Sequence, residues 1–86
     1  MIDNRIINAY AYEVSHGCFS LLEGYICEKL NKPEGYLKEQ YDSITKKINA
    51  ENKGITNETF TSLIYLEYIN LITKLEIENG RTQKIG

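Results

Sequence analysis

The chain of 86 residues has no tryptophan, one proline, one methionine, one histidine and two cysteines. Cys18 and Cys27 stand nine positions apart. In one continuous helix that separation is about 13.5 Å of rise, and a disulfide needs Cα atoms within about 7 Å. The two thiols are therefore expected to be reduced, as in a cytoplasmic chain. No window reaches 18 uninterrupted apolar residues, so no membrane span is expected. The richest run, Leu63-Ile64-Tyr65-Leu66, is broken by Glu67 and Asn70. Met1-Ile2-Asp3-Asn4-Arg5 does not read as a secretory leader. Charge of one sign is also scarce: the net charge is −2 and the pI near 5.4. That balance argues against a strongly basic nucleic-acid or membrane-surface protein. The six glycines are scattered and form no phosphate-cradling loop.

Hydrophobic residues make up 42% and charged residues 26%, the composition of one folded domain and not of a disordered chain. Ile, Lys, Asn and Tyr supply 35 of the 86 residues, whereas Gly, Ala, Arg and Pro supply 12. Codons rich in A and T dominate such a set, which suits a low-GC bacterium, or a phage or mobile element within one. Domains this small bury a limited share of their surface and commonly rely on disulfides, metals or self-association.

The spacing of apolar residues predicts an all-α fold, a three-helix bundle of two long helices and one shorter amphipathic helix. The first helix is expected over residues 4–30, capped by Asp3 or Asn4 and stopped before Asn31-Lys32-Pro33. The second is expected over residues 33–51 with Pro33 near its first position. Leu37, Tyr41, Ile44 and Ile48 form its narrow apolar stripe, and Asn52-Lys53-Gly54 its stop. The third is expected over residues 57–78, after a cap at Thr56 or Asn57, with a loose tail at 79–86. A hairpin of Lys74–Glu78 and Arg81–Ile85 about Asn79-Gly80 is the alternative.

At 100° per residue, a continuous first helix carries two apolar seams. One holds Ile7, Tyr10, Val14, Cys18, Leu21 and Tyr25, the other Tyr12, Phe19, Ile26 and Leu30. The third helix is apolar over more than half its circumference. A lone copy cannot cover both, so a homodimer or higher oligomer is expected. Tyr10, Val14, Gly17, Phe19 and Leu21 are the expected oligomer interface, with Gly17 and Gly24 allowing close backbone approach. Tyr12, Tyr65, Leu66 and Ile69 are candidates for gripping another protein, since tyrosine buries much area with few rotors.

Catalytic chemistry finds little support. Glu13 and His16 have the Glu-x-x-His spacing that di-iron bundles use, on the polar sector they share with Ser20 and Glu23, and Glu67 or Glu23 can complete a set across an oligomer interface. A solvated polar face explains them better, because this is the only histidine. His16 and Cys18 point about 200° apart on a helix, so the imidazole is no base for that thiol. No catalytic residue and no cofactor is expected. Residues 46–63 have the layout of a helix-turn-helix, a glycine turn feeding a second helix, from which Asn57, Thr59 and Thr61 can reach base edges. Six positive and five negative charges over residues 46–86 give a weak field for phosphates, so nucleic acid is disfavoured as partner. The leading expectation is a small non-enzymatic regulator, adaptor or inhibitor that docks on another protein. A DNA-binding regulator is the alternative, and a ligand or metal site at an oligomer interface a further one.

Overall fold

The computed structural model describes residues 2–85, with side chains through residue 80. Among them there is no strand. The helices are α1 (Asn4–Ser15), α2 (Glu23–Lys29), the single turn α3 (Tyr36–Glu39), α4 (Tyr41–Glu51) and α5 (Asn57–Ile85).

The expected first helix over residues 4–30 is two helices set apart by a loop. Asp3 caps α1 as expected, its carboxylate accepting the Arg5 N–H at 2.8 Å. At the other end Gly17 takes a left-handed φ of 79°. The Gly17 N–H then bonds Val14 O at 3.0 Å, and the Cys18 N–H reaches back to Glu13 O at 3.0 Å. This double closure is the Schellman ending that glycine makes cheap. Ser20 next opens a new turn, its hydroxyl accepting the Leu22 N–H at 3.0 Å. Asn31 closes α2 in the same way as Gly17 closes α1, at φ 58°, with the Lys32 N–H on Cys27 O at 2.9 Å.

This break corrects the two-seam reading. Ile7, Tyr10 and Val14 are buried, but the helical phase ends at Gly17. Leu21 is 99% and Phe19 75% exposed, whereas Ile26, Cys27 and Leu30 are buried. Cys18 and Cys27 thus lie on different elements, one exposed and one buried, both as free thiols.

The second predicted helix also starts late. Pro33 opens a turn, not a helix: its carbonyl accepts the Tyr36 N–H at 3.1 Å, and Gly35 has φ 88°. Leu37, Ile44 and Ile48 are buried and Tyr41 half-buried, so the expected stripe is the core face of α3 and α4. After Gly54 at φ 79°, Thr56 caps α5 by accepting the Thr59 N–H at 3.2 Å. The hairpin about Asn79-Gly80 is overturned, because α5 runs on through both residues to Ile85. Asn-Gly favours a hairpin turn where it joins two strands, and the described residues form no strand.

α5 is the spine. α1 runs antiparallel to it: the Ile2 N–H donates to Glu76 Oε2 at 2.9 Å, and at the other end Tyr12 and His16 stand beside Asn57 and Thr61. α4 packs on another flank, with Lys47 Nζ 3.4 Å from Glu67 Oε2. Ile64, Tyr68, Ile72 and Leu75 form the buried stripe that all of this covers. Each fully buried aliphatic side chain contributes about 1.5–3 kcal/mol relative to exposure.

A polar knot sits inside that core. Glu23, the first residue of α2, accepts the Tyr10 hydroxyl on Oε1. Its Oε2 accepts the N–H groups of Leu37 at 3.0 Å and Lys38 at 3.2 Å, and the Cys27 thiol at 3.2 Å. Leu37 O in turn accepts the Tyr68 hydroxyl at 2.9 Å, and the Tyr10 and Tyr68 rings meet edge to face at 5.9 Å. One carboxylate therefore ties α1, α2 and the start of α3 together.

Candidate functional site

An open, largely apolar groove of about 670 Å³ lies between the C-terminal half of α1 and the first turns of α5. Tyr12, Ser15 and His16 form one wall, and Glu58, Thr61, Ser62, Tyr65 and Leu66 the other, with Asn57 at the end. Its walls follow from the antiparallel pairing of the two helices. Of the lining residues Ser15 is buried, Thr61 and Tyr65 are half-buried, and Tyr12, Ser62 and Leu66 are exposed. Tyr12 is 60% and Leu66 51% exposed, so each wall carries one large side chain with much of its surface in water.

The polar groups of the groove are held in place. His16 Nδ1 donates to Tyr12 O at 2.8 Å and lies 3.3 Å from Ser15 Oγ. Its ring stacks against that of Tyr12 with centroids 4.3 Å apart. With Nδ1 so committed, the neutral imidazole presents Nε2 as an acceptor. The Tyr65 hydroxyl donates to Asn8 Oδ1 at 3.2 Å, which pins that ring along the α1 side. Glu58 is the only carboxylate in the lining, and no lysine or arginine belongs to it.

The groove joins residues from three separate expectations. Tyr12, Tyr65 and Leu66 come from the protein-docking set, His16 from the metal set, and Asn57 and Thr61 from the DNA set. Ile69 stands half-buried further along α5. Thr59 is exposed; its N–H donates to Thr56 Oγ1 at 3.2 Å and its hydroxyl oxygen accepts from the Thr56 hydroxyl at 3.0 Å, and it does not line the groove. The metal set is dispersed. Glu13 accepts the Ser20 hydroxyl at 2.7 Å, His16 is turned onto Tyr12, and Glu67 faces Lys47. No group of three or more His, Cys, Asp or Glu side chains among the described residues is arranged to hold a metal ion.

The expected oligomer-interface residues do not share a surface. Tyr10 and Val14 are in the core, and Gly17 serves to end a helix. Within the chain a Cβ at Gly17 would meet nothing within 4 Å. Gly24 touches only the tip of the flexible Glu34 side chain. Phe19 and Leu21 are exposed on the loop, where Lys38 Nζ lies 4.0 Å from the Phe19 ring centroid. Sequence reasoning places Glu23 on a polar sector, as an alternative to Glu67 in the metal set, and misses its bonds to Tyr10, Cys27, Leu37 and Lys38; the signal of its place is Ser20-Leu21-Leu22-Glu23. A serine followed three residues later by glutamate marks a new helix start.

No helix among the described residues is long and apolar enough to cross a membrane. No protein family, curated protein or solved structure matches the chain.

Proposed function

We propose that this protein is a non-enzymatic docking module, a small regulator, adaptor or inhibitor, and that the groove between α1 and α5 receives a segment of another protein. The observation that carries this reading is an open apolar groove whose two walls each bear a half-exposed large side chain, Tyr12 on α1 and Leu66 on α5. A segment bearing one or two large apolar side chains fits between them, as amphipathic helices lie in grooves elsewhere. Glu58 at the rim favours a neutral or basic flank on that segment. His16 Nε2 offers one acceptor to a donor on it.

The exposed apolar side chains Tyr12, Phe19, Leu21, Leu66 and Ile77 also support self-association, so that the helices complete their packing in an assembly of copies.

Selection from a displayed peptide library tests the groove. Enriched peptides carry aromatic or aliphatic anchors with basic flanks, and Tyr12→Ala weakens their binding at least about tenfold, the effect of losing one aromatic anchor. Absence of enrichment, or binding indifferent to both Tyr12→Ala and Thr61→Glu, refutes the reading.

A further inference from the structure

We propose that Asn79 is a deamidation site, held closed in the folded chain by its amide bonds to the end of α2, and that its conversion to aspartate or isoaspartate loosens α2 from α5. The site lies at the other end of α5 from the groove and does not depend on it.

Asn79-Gly80 has the composition of a hairpin turn, yet it lies inside a helix. Of the eight asparagines, Asn79 alone precedes a glycine. That neighbour matters because deamidation begins when the next residue's backbone nitrogen attacks the asparagine amide carbon. Glycine has no Cβ to crowd that nitrogen. Packing does not call for glycine at this position: among the described residues nothing stands within 4 Å of a Cβ placed there.

In the reaction the Gly80 nitrogen gives up its proton and bonds to Asn79 Cγ, and the side-chain nitrogen leaves as ammonia. A succinimide ring results. Water, the only co-reactant, then opens either of the ring's two bonds from carbonyl carbon to nitrogen. One opening gives aspartate. The other gives isoaspartate, whose main chain runs through the former side chain and is longer by one methylene.

The folded chain closes this route twice. In α5 the Gly80 N–H is engaged with the carbonyl four residues back, and helical geometry keeps the nitrogen away from Cγ. The side-chain amide is held as well. Asn31 Nδ2 donates to Asn79 Oδ1 at 2.6 Å, and Asn79 Nδ2 donates to Lys29 O at 3.4 Å. Lys29 O can only accept, which fixes the orientation of the Asn79 amide and leaves its oxygen for Asn31. Asn31 is itself set in place, since its φ of 58° closes α2. Reaction therefore waits for a local opening that unwinds α5 at Gly80 and parts this clasp. Glycine lowers the cost of that unwinding.

The clasp borders a concavity of about 190 Å³ between the end of α2 and α5, where Leu30 and Leu75 are buried. A carboxylate at position 79 sets two acceptors against each other at Lys29 O and adds negative charge beside Glu78. Lys32 lines the same concavity, but its ammonium lies over the Tyr36 ring, 5.0 Å from the centroid. Isoaspartate, with its longer main chain, also breaks the helical repeat at this point.

Trypsin, cutting after Lys74 and Arg81, releases residues 75–81 as one peptide, in which conversion of amide to acid adds one mass unit. The full chain is aged in warm, mildly alkaline buffer, folded and in guanidinium. In guanidinium Asn79 converts faster than any other asparagine, and in the folded chain at least about tenfold more slowly than that. Asn31→Gly keeps the left-handed backbone and removes the clasp. It raises the folded rate roughly fivefold, the effect of losing one hydrogen bond, and leaves the guanidinium rate unchanged. In a Cys18→Ser background, Asn79→Asp speeds modification of Cys27 in α2 by a similar factor. Equal rates in the two states, or another asparagine reacting first in guanidinium, overturn the site. Asn31→Gly converting at the parent rate overturns the clasp, and Cys27 reactivity unmoved by Asn79→Asp overturns the link to α2.

Discussion

The carboxylate of Glu23 accepts the backbone N–H of Leu37 at 3.0 Å, fourteen residues further along the chain. The same oxygen accepts the Lys38 N–H, so a side chain at the start of α2 supplies the acceptor that α3 cannot supply for its own first turn. Tyr10 and Cys27 donate to the same carboxylate. Glu23→Gln keeps the shape but loses the charge, and leaves donors facing donors. Expected destabilisation is roughly 2–3 kcal/mol, a fall in melting temperature of roughly 10–20 °C. Tyr10→Phe removes one bond and costs about 1 kcal/mol. Thermal and urea melts of the three chains measure this, and a Glu23→Gln chain as stable as the parent refutes the knot.

The knot sets a limit at alkaline pH. Burial raises the Tyr10 and Tyr68 phenols well above their ordinary value of 10.0, and the Glu23 carboxylate adds to both. Burial likewise raises the Cys27 thiol above 9.0. Below pH 9 these groups hold their protons whether folded or unfolded, and their contribution to stability is whole. Above it the unfolded chain releases protons that the folded chain keeps, so stability falls as pH rises through 9 to 10 and beyond. The urea midpoint is expected to decline over that range, and more gently in Tyr10→Phe, which has one proton fewer to release. A flat profile to pH 11 contradicts the burial of these groups.

The two thiols differ in access. Cys18 is exposed on the loop, while Cys27 is buried and bonded to Glu23. A thiol reagent at neutral pH is expected to modify Cys18 quickly and Cys27 only as fast as the chain opens. Denaturant brings the count to two at once. Equal fast reaction of both in the native state rules out the placement of α2.

The glycines give a test of opposite signs. Gly17 at φ 79° ends α1, and alanine there costs about 1 kcal/mol. Gly24 lies inside α2, where a Cβ would meet Glu34 Oε1 at 3.4 Å, an ordinary contact with a side chain that can move. Gly24→Ala therefore stabilises by a few tenths to about 1 kcal/mol. Denaturant unfolding of both variants shows whether the break in residues 4–30 is real, since in one continuous helix both substitutions would stabilise.

Much of the helical content was legible in the amino-acid pattern because Leu37, Tyr41, Ile44 and Ile48, or Ile64, Tyr68, Ile72 and Leu75, repeat at the helical interval over several turns. The break at Gly17 was hidden because Cys18, Leu21 and Tyr25 continue the phase of Val14 by coincidence, although loop residues obey no phase. Glu23 was assigned to a solvated sector for the same reason: periodicity describes a residue's neighbours on its own helix and is blind to a backbone N–H fourteen residues away. The groove was half legible. Tyr12, Tyr65 and Leu66 were recognised as unplaced apolar residues, but their convergence with His16, Asn57 and Thr61 depends on the antiparallel docking of α1 on α5, which no local pattern encodes.

That docking also makes the fold a long-range construction. α1 precedes α5 in the chain by about forty residues, yet the surface that shelters Ile7, Tyr10 and Val14 belongs to α5. Until residues 57–76 are in place α1 has no permanent neighbour, so closing the intervening loop comes before the reward of its burial, and the two helices gain their stability together.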